Sequence, residues 1–253
     1  MKTPYNNLVR DCQRLHGFKS EDLKKFVDSA KITPGMKILD AMCGNGVISK
    51  ELSKKDNVEL YLLDNSSFQI DLAKKSIKNA KFFVGSILNT PFENDFFDRI
   101  ILRNGIHEIP EDKQEILYKE LFRILKKGGL FLNWATLLTK NNREVYTDIV
   151  RMKDKIAGFR DLVKNRYFVT KEEFLELIKN SGFEKINFID FGLDYHFSTK
   201  RWCEVDFKGN EEKLKEFNRG IRNLNLKNSG LNIKDFEEDI QIIVPAMISI
   251  AKK

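Results

Sequence analysis

The stretch that most constrains this chain is residues 36–46, Met36-Lys37-Ile38-Leu39-Asp40-Ala41-Met42-Cys43-Gly44-Asn45-Gly46. An apolar run ends in a carboxylate, and two glycines follow within a few residues. The pattern predicts a buried strand, a tight turn and the start of a helix. Gly44 and Gly46 lack the Cβ that would hold a ligand off the backbone. Ligands of open α/β sheets lie beyond the carboxyl ends of the strands. A carboxylate there, Asp40, can accept from a ligand ammonium directly or through water. A ligand with a cationic amino-acid end would suit the place.

Two nucleotide-binding turns are set apart by detail. The dinucleotide fingerprint G-x-G-x-x-G needs its third glycine for close helix–strand packing, and that position is Ser49 here. A phosphate-binding loop needs Gly-Lys-Ser/Thr after its glycines, which this turn lacks. Further strands are predicted over 58–63, 81–84, 99–102, 130–135, 185–191 and 246–251. Helices fall at 20–30, with Ser20 as N-cap, at 47–55, and from Asn65 onward. Others follow at 112–126, ended by Gly128-Gly129, and at 171–180, opened by a Thr170/Glu173 capping box. Asp64 closes the second strand, where an acid can accept both hydroxyls of a ribose.

The length of 253 residues fits one large α/β domain, and an apolar fraction of 42% supplies its core. No run approaches the roughly 20 apolar residues of a membrane helix, and the N-terminus lacks the apolar centre of a signal peptide. Cys12, Cys43 and Cys203 are far apart, without metal-ligand spacing. They read as reduced thiols of a cytoplasmic protein. The net charge of +7 comes with lysine scattered along the whole chain. That describes a solvated surface rather than the basic stripe of a nucleic-acid binder, and leaves an acidic small substrate open.

Asp40-x-x-Cys43-Gly44-x-Gly46 resembles the first motif of the class I S-adenosylmethionine (SAM) dependent methyltransferases. Segments in matching order continue the resemblance: Asp64-Asn65-Ser66, Pro91-Phe92-Glu93-Asn94-Asp95-Phe96-Phe97-Asp98, and Leu125-Lys126-Lys127-Gly128-Gly129. The likeness spans about residues 20–190 and the last strand. It implies an α/β, Rossmann-like fold: a seven-stranded, mostly parallel sheet with an antiparallel last strand, helices on both faces and helical lid insertions. SAM would be the cofactor, held by Asp40, Cys43, Gly44, Asn45, Gly46, Asp64, Asn65, Gln69, Ser86, Ile87 and Arg103. Ser86 stands where similar enzymes often carry an acid for the adenine amino group, and its hydroxyl accepts more weakly.

Residues 103–110, Arg103-Asn104-Gly105-Ile106-His107-Glu108-Ile109-Pro110, follow the fourth strand, where similar small-molecule methyltransferases carry a histidine. His107 is the candidate base, with a reference pKa of about 6.5 suited to neutral pH. Glu108 would orient it or bind substrate. A structural hydrogen-bonding role for His107 is the alternative. The signature of amino-methyltransferases acting on DNA bases is missing, as is a carboxylate cluster for a divalent metal, so no metal is expected.

The single domain 1–253 would carry a helical cap at 1–30 and lids at 137–168 and 192–243. An irregular stretch as long as the last would be unusual without a role. Tyr5 and His16 in the cap, and Tyr195, His196, Arg201 and Trp202 in the second lid, are the candidate substrate contacts, with lid helices expected at 211–222 and 233–239. Trp134 reads as core. The chain is read as a SAM-dependent methyltransferase acting on an O, N or C atom of a small molecule by in-line displacement. The alternatives are an RNA or protein methyltransferase, a non-catalytic SAM-binding protein and, less favoured, a nucleotide-dependent oxidoreductase.

Overall fold

The computed structural model describes residues 17–192, 194–227 and 229–253. Seven strands form the main sheet in the order β3-β2-β1-β4-β5-β10-β6. They are β1 (Lys37–Ala41), β2 (Glu59–Asp64), β3 (Lys81–Val84), β4 (Phe97–Arg103), β5 (Leu125–Thr136), β6 (Lys185–Ile189) and β10 (Ala246–Lys252). β1 runs parallel to both β2 and β4, β4 runs parallel to β5, and β10 is antiparallel to β5 and β6. β1 and β2 are apolar almost without interruption because both faces of a parallel sheet are covered. One face packs Leu39, Leu63, Ile100 and Phe131 under the helix α4 (Gln114–Ile124). The other packs Ile38, Leu62, Ile101, Leu132 and Trp134 under α1 (Ser20–Ser29), α2 (Val47–Leu52) and α3 (Ser67–Ser76). Chain order reverses between β1 and β4, so the crevice beyond their carboxyl ends is the switch point at which such sheets bind ligands.

Several elements depart from the sequence expectation. β5 begins at Leu125 rather than at 130: Leu125 pairs with Phe97 and Leu130 with Arg99, so residues 126–129 bulge out, with Gly128 at φ +75°. The glycine pair therefore shapes a bulge instead of stopping a helix. α1 is capped by Lys19, whose backbone N–H donates to the Asp22 carboxylate at 2.7 Å, and not by Ser20. The helix expected over 233–239 is replaced by β8 (Asn232–Asp235) and the turn that leads into β9 (Ile240–Val244). Ile240, Ile242 and Val244 alternate inward, and β-branched residues on a half-buried ribbon favour strand. With β7 (Tyr195–Ser198) they make a separate sheet, β7-β9-β8, so the second insertion is mixed rather than helical.

The helices of the insertions are α5 (Lys140–Ala157), α6 (Arg160–Asn165), α8 (Thr199–Asp206) and α9 (Glu211–Arg222), with α7 (Lys171–Asn180) between them. The two insertions meet in a buried set of charges. Lys153 Nζ bridges Asp154 at 2.6 Å and Asp206 at 2.7 Å, and Arg166 Nε reaches Asp154 at 2.7 Å. The side chains are buried, and two cations offset two anions.

Candidate functional site

The carboxyl ends of β1, β2 and β4 bring Asp40, Asp64 and Arg103 to one crevice. Asp64 is fixed by backbone amides. Gly44 N–H donates to Oδ2 at 2.8 Å, and Ser66 N–H donates to Oδ1 at 2.9 Å. Burial raises its pKa above the ordinary carboxylate value, against the opposing pull of those amides. Each oxygen keeps acceptor capacity for a further donor.

Asp40 lies deeper, at 2% exposure. The Ser49 hydroxyl donates to its Oδ2 at 2.5 Å. Ser49 thus holds the acid from the place where a dinucleotide turn would carry its third glycine. Burial pushes the Asp40 carboxyl up to about 7, opposed by Ser49 and by the charge of Arg103. The Arg103 guanidinium lies 4.5 Å over the Phe18 ring and 5.7 Å from that of Trp134. A weakly hydrated guanidinium stacks well on such faces. An anion and a cation at the ends of adjacent strands complement the two charges of an α-amino acid.

The two glycines of the turn have different jobs. Both sit at positive φ, +53° for Gly44 and +81° for Gly46. A Cβ on Gly46 would come within 2.6 Å of Ile77 Cδ1, so packing demands that glycine. A Cβ on Gly44 would meet no heavy atom of the described residues within 4 Å, so Gly44 leaves backbone open to the crevice. Cys43 is buried with its thiol pushed well up by burial, and its Sγ faces the Gly44 carbonyl at 3.4 Å. Asn45 is half-buried on the same turn. On the flank, Asn65 is exposed after β2, and Gln69 is buried in the first turn of α3, its N–H donating to Ser66 Oγ. Ser86 is exposed and spends its Oγ on the Leu88 amide, while Ile87 beside it is buried.

His107 sits on a single 3-10 turn, Ile106–Glu108, directly after β4. It is 9% exposed and stacks on Phe168 at 5.1 Å and 18°. Its carbonyl accepts from the Tyr167 amide at 3.0 Å. Gln114 Nε2 donates to the carbonyls of Ile106 and Ile109, which pins the turn. Glu108 follows, half-buried. Phe168 and Gln114 were not foreseen. Phe168 ends a polar insertion, and only the fold brings it to His107.

The lid residues fall differently. Tyr195 is fully buried, stacked on Trp134 at 5.8 Å, with its hydroxyl donating to the Trp134 carbonyl at 3.3 Å. Trp202 is 3% exposed, stacked on Phe197 at 4.9 Å and packed on Phe217. Tyr195 and Phe197 point inward from β7, so the rings of Tyr195 and Trp202 build core instead of presenting a face to substrate. Arg201 is half-buried, its guanidinium donating to the His196 carbonyl at 2.6 Å, and His196 is exposed. Tyr5 and His16 lie outside the described residues. Trp134 is core, as read.

A family described as "Methyltransferase domain" matches residues 38–129, which hold Asp40, Gly44, Gly46, Asp64, Arg103 and His107. The chain is 30% identical over 174 residues to a ubiquinone/menaquinone biosynthesis C-methyltransferase, UbiE, of Rickettsia bellii, covering 60% of this chain and 69% of that protein. It is 30% identical over 155 residues to 24-methylenesterol C-methyltransferase 3 of Arabidopsis thaliana, covering 59% of this chain but only 40% of the relative's length. The fold matches the crystal structure of the YcgJ protein of Bacillus subtilis with a TM-score of 0.78 at 16% identity, over 93% of this chain and 99% of that one.

Proposed function

We propose, for a chain that belongs to the class I SAM-dependent methyltransferases, that it binds SAM at the β1/β2/β4 crevice and transfers the methyl group to a small, largely apolar molecule. The observation that carries this reading is the set of three strand ends: Asp64 presented by the Gly44 and Ser66 amides, and Asp40 with Arg103 beside it. The residues fit the cofactor, since the open face of Gly44 leaves room for a ligand against the backbone and the charges match its amino-acid end. When bound, SAM supplies an electrophilic methyl on a sulfonium whose leaving group is neutral.

The chain's own residues bind and align. Asp40 takes the ammonium and Arg103 the carboxylate, and Asp64 accepts the ribose hydroxyls. Asn65 and Gln69 flank the base, with Cys43, Asn45, Gly46, Ser86 and Ile87 completing the walls. Alignment of this kind accounts for roughly 7–11 kcal/mol of a barrier. In this reading His107 takes a proton from the acceptor, with Glu108 beside it, and its stack on Phe168 supports the role by holding the ring. The acceptor class is supported by the relatives, which are named for sterols and quinones. No helix among the described residues is long and apolar enough to cross a membrane. Free, buried thiols at Cys43 and Cys203 support a reducing compartment, the cytoplasm.

Thermal unfolding with SAM, S-adenosylhomocysteine and NAD tests the reading. A ligand at 100 times its dissociation constant adds about 2.7 kcal/mol. Stabilisation by the first two ligands, lost in Asp64→Ala, is expected. No effect from either, or an effect from NAD alone, refutes it.

A further inference from the structure

β1 leaves the sheet through Met42, which holds φ +56° without being glycine. An L side chain in that region carries steric strain against its own backbone, and such strain persists where the surroundings over-determine it, most often at functional sites. The Met42 side chain is half-buried and reaches across to the end of β4. There it lies over Gly105: a Cβ built on Gly105 would stand 2.9 Å from Met42 Sδ, 3.1 Å from its Cβ and 3.2 Å from its Cε. Gly105 itself has φ −109°, ψ −25°, a conformation open to any residue. Its lack of a side chain is therefore explained by Met42 and not by its own backbone. The two residues form one fitted pair across the switch point.

The place of that pair decides what it touches. Asp40 and Arg103 hold the amino-acid end of the proposed ligand, and Asp64 with Gly44 holds its nucleoside end. The sulfur joins the two ends, so it lies over residues 41–43, and of these Met42 carries the side chain that reaches across to Gly105. His107 lies two residues beyond Gly105, on the turn Ile106–Glu108.

We propose that Met42, seated against Gly105, is a specificity-determining residue that forms the floor beneath the sulfonium and restricts its transferable substituent to the size of a methyl group. This rests on the SAM reading above. Interiors packed this closely register a single added methylene, and a pocket distinguishes ligands by one methylene at about tenfold or more.

Calorimetric titration of the purified protein with SAM and with its S-allyl analogue tests the proposal. The wild type is expected to bind SAM about tenfold or more tightly than the analogue. Met42→Gly, relaxed at that φ, and Met42→Ala are expected to bring the ratio to within about threefold, mainly by tightening the analogue. Met42→Leu, of similar volume, keeps the discrimination. Gly105→Ala pushes the thioether into the cleft and weakens SAM. The same change in a Met42→Gly background costs far less, a coupling that a double-mutant cycle reads directly.

A wild type that binds both ligands equally overturns the proposal. So does a Met42→Gly or Met42→Ala protein that binds SAM yet discriminates as before, which is the pattern of a purely structural residue. A wild type that binds neither SAM nor S-adenosylhomocysteine overturns the cofactor reading, and this proposal with it.

Discussion

The floor of the crevice and the two insertions, 137–168 and 192–243, which pack together as one cap, use the same residue types to opposite ends. At the floor, Asp40, Asp64 and Arg103 come from separate strand ends and keep capacity for a ligand, anchored by Ser49, by two backbone amides and by two rings. In the cap, Lys153, Asp154, Arg166 and Asp206 turn inward and pair with one another. Aromatic side chains divide the same way. Phe18 and Trp134 support a charge at the floor, whereas Tyr195, Phe197, Trp202 and Phe217 fill the cap's interior. A charge in a protein is an instrument only where something outside the fold is left to complete it. In the cap the completion is internal, and its product is a rigid joint between two insertions.

The largest expected effect tests that joint. Arg166→Met leaves Asp154 with Lys153 alone, shared with Asp206, inside a buried site. Stranding a buried charge in this way costs about 3–5 kcal/mol, read as a drop in urea stability. A loss below about 1 kcal/mol, the worth of a surface pair, would mean that the cluster is wetter than its burial shows, and the contrast with the floor would fail.

The next effect is smaller and has two signs. In the folded protein the Asp40 carboxyl lies near 7, above its ordinary value of 3.8, because burial disfavours the charge. The native state therefore holds this proton more tightly than the unfolded chain. The stabilisation that follows is full below pH 3.8 and is lost as pH rises towards 7. Asp40→Asn cannot ionise and still accepts from Ser49. Relative to wild type, the ligand-free variant is expected to gain stability progressively from pH 4 to pH 7 and to hold that gain above it. SAM affinity moves the other way: the wild type tightens towards pH 8 as Asp40 ionises, and the variant loses about 10–100-fold, the worth of one charge-assisted hydrogen bond. Denaturant melts and calorimetry across that pH range measure both. A variant that binds SAM as tightly as wild type at pH 8 would remove Asp40 from the floor's working set.

The same division explains what could be read from the chain. The floor is made of short sequence-local segments: Asp40 to Gly46 is one turn, Asp64 ends one strand, Arg103 ends another. Their order and spacing carried the family resemblance, and the resemblance implied the seven-stranded, mostly parallel sheet and the grouping of these residues. Ser49 was legible only as a missing glycine, because its bond to Asp40 depends on how α2 packs. In the cap the periodicity is ambiguous. Residues 233–239 have too few apolar positions to tell a helix turn from a hairpin, and aromatic side chains such as Tyr195 and Trp202 can equally face a substrate or a core. Lys153, Asp154, Arg166 and Asp206 are ordinary surface residues by type, and nothing local announces that three separate segments bring them together.

The smallest effect falls on the seam between the two regions. Phe168 belongs to the cap insertion but stacks on His107 of the floor's edge, and it packs on Tyr146 of α5 at 4.9 Å. The bond from the Tyr167 amide to the His107 carbonyl ties the same seam through backbone, independent of the ring. Phe168→Leu keeps that bond and most of the apolar volume and removes the stack. An aromatic pair adds about 0.5–1.5 kcal/mol beyond its buried area, so a stability loss of that order is expected in urea. The more telling readouts are paired. The His107 ring resonances should move as the ring loses its fixed neighbour, while SAM affinity stays within about twofold of wild type, since 1.4 kcal/mol would be needed for tenfold. Should SAM binding fall with the stack, floor and cap would be one coupled unit, and the histidine's orientation would belong to cofactor binding as well as to the acceptor.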